Sequence, residues 1–248
     1  MTAIYVPRGK ALEYSELACN LYKGCAHGCK YCFAPGATFT PRETFSDHGY
    51  IRPRPLILQE LAKDAEKMAG DPRSILFSFT SDAYQPAEKD FQVTRKALGT
   101  LVLYRLTPQI LTKAGCWAIK RDLDLLKKCN GIWAASLTTD LARESLEWEP
   151  CAALPDERIA ALKIAKAAGL RTWVSFEPVI NPEAVYRLIE QTHEFVDLYK
   201  VGKLNYHPHA KTIDWAAFLV EAEKRLDYYG KQRYIKKDLE VYRHSTAA

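Results

Sequence analysis

Cys25, Cys29 and Cys32 fall within eight residues, in the stretch Cys25-Ala26-His27-Gly28-Cys29-Lys30-Tyr31-Cys32. Thiolates at this Cys-x3-Cys-x2-Cys spacing can converge on one inorganic centre. A structural tetrahedral zinc takes four protein ligands, and a 4Fe-4S cluster held entirely by protein takes four cysteines. Three cysteines leave one metal position open, and an open position is where a small molecule can bind and react. The same residues also permit a zinc site completed by His27 or by a Cys or His from elsewhere in the chain. Zinc motifs usually come as paired Cys-x2-4-Cys knuckles, and the chain has no second knuckle.

Such a loop has to be positioned by regular elements. Residues 17–21 form an apolar run that reads as a strand leading into it through Tyr22-Lys23-Gly24. Residues 35–55, rich in Gly, Pro, Thr and Arg, read as a long irregular segment packed over something else. Apolar spacing then predicts helices over 56–69, 88–98, 117–128, 156–168, 182–192 and 215–228, with strands over 75–80, 109–112, 132–137, 172–176 and 198–201. Short buried strands alternating with helices imply βαβ units, a parallel sheet and right-handed crossovers. The predicted class is therefore α/β, with six repeats wound into an open or closed barrel. In such sheets the loops that follow the strands gather on the ligand-binding face, which is where the cysteine loop falls. No linker divides the chain, so 1–248 reads as one domain. Its basic tail, about 230–248, interleaves Lys231, Arg233, Lys236, Lys237 and Arg243 with Tyr234 and Tyr242. That tail shows no core-facing pattern and reads as a solvated terminus rather than a nucleic-acid contact.

With 48% hydrophobic and 26% charged residues, the composition is globular rather than disordered. A net charge of +5 permits an anionic partner without requiring one. Seven cysteines are odd in number, and Cys19, Cys116, Cys129 and Cys151 are scattered, which makes a poor disulfide framework. Cys116, Cys129 and Cys151 read as buried free thiols, not as ligands of a second cluster. The first ten residues lack the apolar centre of a signal peptide, and no stretch approaches the ~20 apolar residues of a membrane span. The expectation is a cytoplasmic protein with reduced thiols and no membrane association.

The cysteine spacing, with the aromatic Tyr31 just before Cys32, resembles the signature of the radical S-adenosylmethionine superfamily. The resemblance implies a partial (β/α)6 barrel of parallel strands and a 4Fe-4S cluster on Cys25, Cys29 and Cys32. It also implies S-adenosylmethionine bound at the open iron by its methionine end. One electron from the reduced cluster then cleaves the sulfonium, and the 5′-deoxyadenosyl radical abstracts hydrogen from a substrate. On this resemblance the three cysteines are at once metal ligands and catalytic residues, and an electron donor such as flavodoxin or ferredoxin is the expected partner.

A narrower resemblance is carried by Asn20 through Cys29, by Thr80-Ser81-Asp82-Ala83-Tyr84-Gln85-Pro86, by Leu111-Thr112-Lys113 and by Ala135-Ser136-Leu137-Thr138-Thr139. These passages are similar to the spore photoproduct lyase and DNA repair photolyase branch. Ser81, Lys113 and Ser136 match positions that contact S-adenosylmethionine, where an ammonium and hydroxyls would hold carboxylate and ribose oxygens. Tyr31 and Phe33 flank the last cysteine and are expected against the adenine. Glu177, at a strand's carboxyl end, is a candidate for cofactor or substrate contact. Asp82 would orient Ser81 or serve its own loop, Glu149 and Arg158 would form a salt bridge or loop anchor, and His207 and His209 read as surface residues. In the lyases a hydrogen-donating cysteine stands where this chain has Phe79, with Cys19, Cys151 or Tyr84 as the replacements to consider. The resemblance thus transfers the reaction type and leaves the substrate open among nucleic acid, peptide and small molecule. A nucleic-acid-binding protein with a structural metal is the alternative of a different class.

Overall fold

β1 (Leu17–Cys19) leads into the cysteine loop, and a small antiparallel ribbon, β2 (Tyr22–Lys23) with β3 (Arg52–Pro53), braces the loop from outside. The structure is a computed structural model that describes residues 2–244. Its main sheet continues with β4 (Ser74–Phe77), β5 (Thr107–Thr112), β6 (Ile132–Ser136), β7 (Arg171–Val179), β8 (Leu198–Lys203) and β9 (Gln232–Ile235). The order is β1-β4-β5-β6-β7-β8-β9, with every neighbouring pair parallel. Strand order follows chain order, so right-handed crossovers carry the helices to one face and leave the other facing inward, as in a barrel wall. The two edges, β1 and β9, do not pair with each other, and the barrel is open.

Alternation along the strands sorts the side chains between these faces. Ile75, Phe77, Ile110, Trp133, Ala135, Val174 and Phe176 join the large core beneath the helices. Leu76, Ala134 and Trp173 point the other way, into a small cluster with Tyr14, Phe79 and Leu111. The helices obey the complementary period: Ile57, Leu61 and Ala65 form the buried stripe of helix Ile57–Lys67. Helix Trp215–Tyr228 starts where the Asp214 carboxylate accepts from the Ala217 N–H at 3.0 Å.

Four local expectations are corrected. The helix predicted over 88–98 breaks at Gln92 (φ 50°) into Glu88–Phe91 and Val93–Leu103. The buried Glu88 carboxylate explains the break, since it turns back to accept from Thr94 N at 3.0 Å, from Arg121 Nη2 at 2.7 Å and from the Tyr22 hydroxyl. The connection after β6 contains a helix, Ala142–Trp148, and the segment over 35–55 contains the short helix Arg42–Phe45. The tail is not a solvated terminus. Its Gln232–Ile235 pairs with β8 as a seventh strand, and Ile235, Lys236 and Leu239 are buried. Residues 245–248 of that tail lie outside the described residues.

One inward-facing cation has a measurable consequence. Lys200 Nζ donates to the carbonyls of Glu13 (2.9 Å) and Tyr14 (2.8 Å) and sits over the Trp173 ring. Burial, helped by the nearby Lys236 and only partly opposed by Glu13, pulls its pKa down to about 8. Between that pH and the unfolded value of about 10.4 the folded chain binds fewer protons than the unfolded one, so stability rises with pH across this window. Urea midpoints at pH 7 and pH 9.5 should show wild type gaining on Lys200→Met by on the order of 1–3 kcal/mol.

Candidate active site

The carboxyl ends of the inner strands open on a cavity of about 410 Å³. Cys25, Cys29 and Cys32 line one end, and Tyr14, Glu177 and Lys236 line the other.

The cysteine loop is held through its backbone, which leaves the thiols to the cavity. Gly24 (φ +71°) cannot carry a side chain, because a Cβ would lie 2.7 Å from the Phe45 carbonyl oxygen. Cys25 N donates to that carbonyl at 3.1 Å and Lys30 N to the Trp148 carbonyl at 2.9 Å. From inside, the fully buried Gln85 accepts from Ala26 N (2.9 Å) and donates to the Gly24 carbonyl (3.2 Å). From outside, the Arg42 guanidinium donates to the carbonyls of Cys29 (3.0 Å) and Cys32 (2.8 Å). His27 is pinned as well, with Nδ1 3.1 Å from the Cys151 carbonyl and Nε2 3.1 Å from Asp82 Oδ2. Both ring nitrogens thus face oxygens, which argues against His27 as the fourth ligand of a zinc. Among the described residues no three His, Cys, Asp or Glu side chains form a group set for a single metal ion.

Asp82 joins the loops after β4 and β5. Its carboxylate accepts from Thr112 Oγ1 (2.6 Å), Lys113 N (2.8 Å) and Tyr84 N (2.8 Å). Burial opposes its ionisation, but His27 and these donors outweigh it and hold the pKa below the usual carboxylate range. Asp82 thereby ties the backbone of its own loop, next to Ser81, to the backbone at Lys113. Ser81 and Lys113 line the cavity, as does the buried Ser136. The Ser81 hydroxyl is buried with no hydrogen-bond partner among the described residues.

Lys113 Nζ lies 5.6 Å from the centre of the Tyr31 ring. The Tyr31 hydroxyl donates to Glu149, whose carboxylate meets Arg158 Nη2 at 2.5 Å in a pair sealed from solvent. Burial pushes the Glu149 pKa up, while Arg158, Lys113 and Tyr31 together bring it below its ordinary value. Burial pushes the Cys29 thiol up to about 12 and raises the Cys25 thiol as well, with Asp82 adding to the effect there. Buried thiols of this kind become thiolates only against a strong positive centre, which is what a metal cluster provides. Three thiols, an orphaned buried hydroxyl and an ammonium lining one cavity fit a cluster carrying a polar ligand.

Phe33 sits at the mouth and is 55% exposed. Glu177 follows the sheet into the far end, where Tyr14 Oη and Lys236 Nζ (2.5 Å) both donate to its Oε2. Phe79 packs edge-on to Tyr14, with ring centres 5.9 Å apart. None of the hydrogen-donor replacements considered from sequence lines this cavity. Cys19 is buried in the large core, Tyr84 packs on Trp117 and Trp133 with its hydroxyl on Asp122, and Cys151 is exposed outside it. The exposure of Cys151 also corrects the expectation of a buried thiol, and Cys116 is only half-buried. His207 and His209 pack on Trp148, away from the cavity lining. Tyr14 and Arg42 were not singled out by sequence, Lys236 was read only as part of a solvated basic tail, and no spacing rule links any of them to the cysteines.

A parallel, chain-ordered α/β sheet with three loop cysteines lining its cavity defines a class: an open α/β barrel with a cysteine-lined site at its strand ends. The chain belongs to the radical SAM superfamily, whose family model matches residues 19–196. It is similar to an uncharacterised protein of Methanocaldococcus jannaschii, 29% identical over 232 residues that make up 92% of this chain and 80% of that one. An uncharacterised Mycobacterium tuberculosis protein is 26% identical over 71% of this chain and 52% of its own length. Among solved structures, a spore photoproduct lyase with bound AdoMet and dinucleoside spore photoproduct superposes with a TM-score of 0.68 at 14% identity, covering 93% of this chain and 79% of that chain. SuiB of Streptococcus suis bound to S-adenosylmethionine gives 0.62 at 18% identity, over 90% of this chain and 51% of that chain. At these identities the structural likeness speaks for the fold. Among the described residues no helix is long and apolar enough to cross a membrane.

Proposed function

We propose that Cys25, Cys29 and Cys32 hold a 4Fe-4S cluster, that S-adenosylmethionine lies along Tyr31, Phe33, Ser81, Lys113 and Ser136, and that the enzyme abstracts hydrogen from a substrate at the Glu177 end. The observation that carries this reading is the opening of three uncommitted thiols onto one cavity with the orphaned Ser81 hydroxyl, in a chain of the radical SAM superfamily. When bound, the cluster and S-adenosylmethionine supply reductive cleavage of a carbon–sulfur bond and the radical that follows. Lys113 contributes a point charge for a carboxylate, Ser81 and Ser136 contribute hydroxyls, and Asp82 keeps the backbone beneath them in place. Tyr31, fixed by Glu149, and Phe33 provide apolar walls that limit water. Glu177, tied to Tyr14 and Lys236, faces the substrate rather than the cofactor. A low-potential carrier such as flavodoxin or ferredoxin is the proposed electron donor. Nucleic acid is the proposed substrate class, supported by the dinucleoside spore photoproduct bound in the spore photoproduct lyase complex.

The test is anaerobic reconstitution with iron and sulfide, then dithionite and S-adenosylmethionine, with 5′-deoxyadenosine measured by chromatography. Formation above a Cys29→Ala control is expected, and a fully loaded cluster that forms none would overturn the reading. In the same preparation Lys113→Met should keep its iron but bind S-adenosylmethionine about tenfold or more weakly, as read by equilibrium dialysis.

A further inference from the structure

The charge in the cavity is uneven. Five basic side chains line it, Arg8, Lys10, Lys113, Lys203 and Lys236, against the two carboxylates of Asp82 and Glu177. Lys113 and Asp82 belong to the cysteine end. At the other end Glu177 is committed to Lys236 at 2.5 Å, and Lys10 is paired at 2.7 Å with Asp238, which also accepts from Asn205 Nδ2 at 2.8 Å. Arg8 and Lys203 meet no carboxylate among the described residues. Lys203 Nζ donates to Tyr242 Oη at 3.0 Å and lies over the Tyr242 and Trp215 rings, so aromatic faces hold an ammonium whose remaining donors are unspent. Beside them Tyr206 stands 91% exposed on a left-handed backbone (φ 59°), a conformation a tyrosine adopts only under constraint.

Resting on the reading that this cavity receives the substrate, we propose that Arg8 and Lys203, flanked by Lys10 and Asn205, bind a phosphate group of that substrate. Tyr206 then offers its ring to a planar group next to the phosphate. Phosphate suits the site better than a carboxylate. The Arg8 guanidinium fork and the Lys203 ammonium arrive from two separate parts of the chain, and with Lys10 beside Arg8 they offer more donors than two carboxylate oxygens can use. The phosphate can come from a diester within a nucleic-acid strand or from a terminal monoester on a small molecule.

Binding to the reconstituted holoenzyme, without reductant, tests the proposal with three probes: a short fluorescent oligodeoxythymidylate, thymidine 5′-monophosphate and uncharged thymidine. A phosphate-bearing probe should bind more tightly than thymidine, and Arg8→Gln and Lys203→Gln should each weaken it roughly tenfold. For the oligonucleotide, each variant should also reduce the salt slope by about one. Lys127→Gln, an exposed charge change on the helix Cys116–Lys128, should do neither. An effect confined to the oligonucleotide assigns the phosphate to a strand, and one confined to the monophosphate assigns it to a small molecule. The proposal falls if neither charged probe outbinds thymidine, or if Arg8→Gln, an exposed position tolerant of change, binds them like wild type. Binding is read without turnover, so this failure is separable from a failure to form 5′-deoxyadenosine.

Discussion

Cys29→Ala protein, reconstituted anaerobically, should come out short of iron and form 5′-deoxyadenosine at least ~100-fold more slowly than wild type, because loss of a direct ligand exceeds the 10–100-fold usual for outer-sphere changes. The loop itself should survive. Its course is fixed by the Arg42 bonds to the Cys29 and Cys32 carbonyls, by Gln85 on Ala26 and Gly24, and by the Cys25 N–H on Phe45, none of which uses a thiol. Circular dichroism and the urea midpoint of the metal-free variant should therefore match those of metal-free wild type. A variant that lost activity and unfolded together would count against the loop being held in this way. Retention of full iron by Cys29→Ala would show that the cluster is not on this cysteine.

Removal of Arg158 should produce the largest change in stability. Its guanidinium is 1% exposed and donates to the carbonyls of Ala153 (2.7 Å) and Ser136 (3.0 Å) and to Ser145 Oγ (3.3 Å), besides pairing with Glu149. Glu149 is equally buried. Breaking such a pair on one side leaves a carboxylate without its counter-ion, and about 3–5 kcal/mol is the usual loss. Arg158→Met should lower the urea midpoint at pH 7 by that equivalent. The sign with pH follows from Glu149, whose folded pKa is depressed. The stability it contributes is present above the unfolded carboxylate value of about 4.3 and is lost as pH falls through the folded pKa. The penalty of Arg158→Met should therefore shrink in acid. Arg158→Met combined with Glu149→Leu should recover part of the loss, since two apolar residues leave no buried charge. The same pair reaches the site through Tyr31 on one side and the Ser136 carbonyl on the other, so Arg158→Met should also weaken S-adenosylmethionine binding.

Much of the fold was legible from local pattern. β1, β4, β5, β6, β7 and β8 and the helices between them follow the two apolar periods, and those periods arise from backbone geometry alone. Helix Ala142–Trp148 and β9 escaped because their patterns are weak. Gln232-Arg233-Tyr234-Ile235 is a mostly polar edge strand that becomes a strand by pairing with β8. The break at Gln92 escaped for a related reason, since its cause is a carboxylate bonded to Tyr22 and Arg121, well away in the sequence.

The amino-acid sequence by itself determined the cysteine spacing, the parallel alternation that places the cysteine loop at strand ends, and the residue types of Ser81, Lys113 and Ser136. These are short-range facts, written in consecutive residues or in one repeating unit. Only the tertiary structure decided what shares the cavity with them. Tyr14 and Glu177 meet across 163 residues, and Lys236 completes their group from a segment that looked like tail. Only the tertiary structure also showed Arg8 and Lys203 without carboxylates among the described residues. Charge balance is a property of neighbours in space, and closing the sheet toward a barrel makes neighbours of residues that no local period relates.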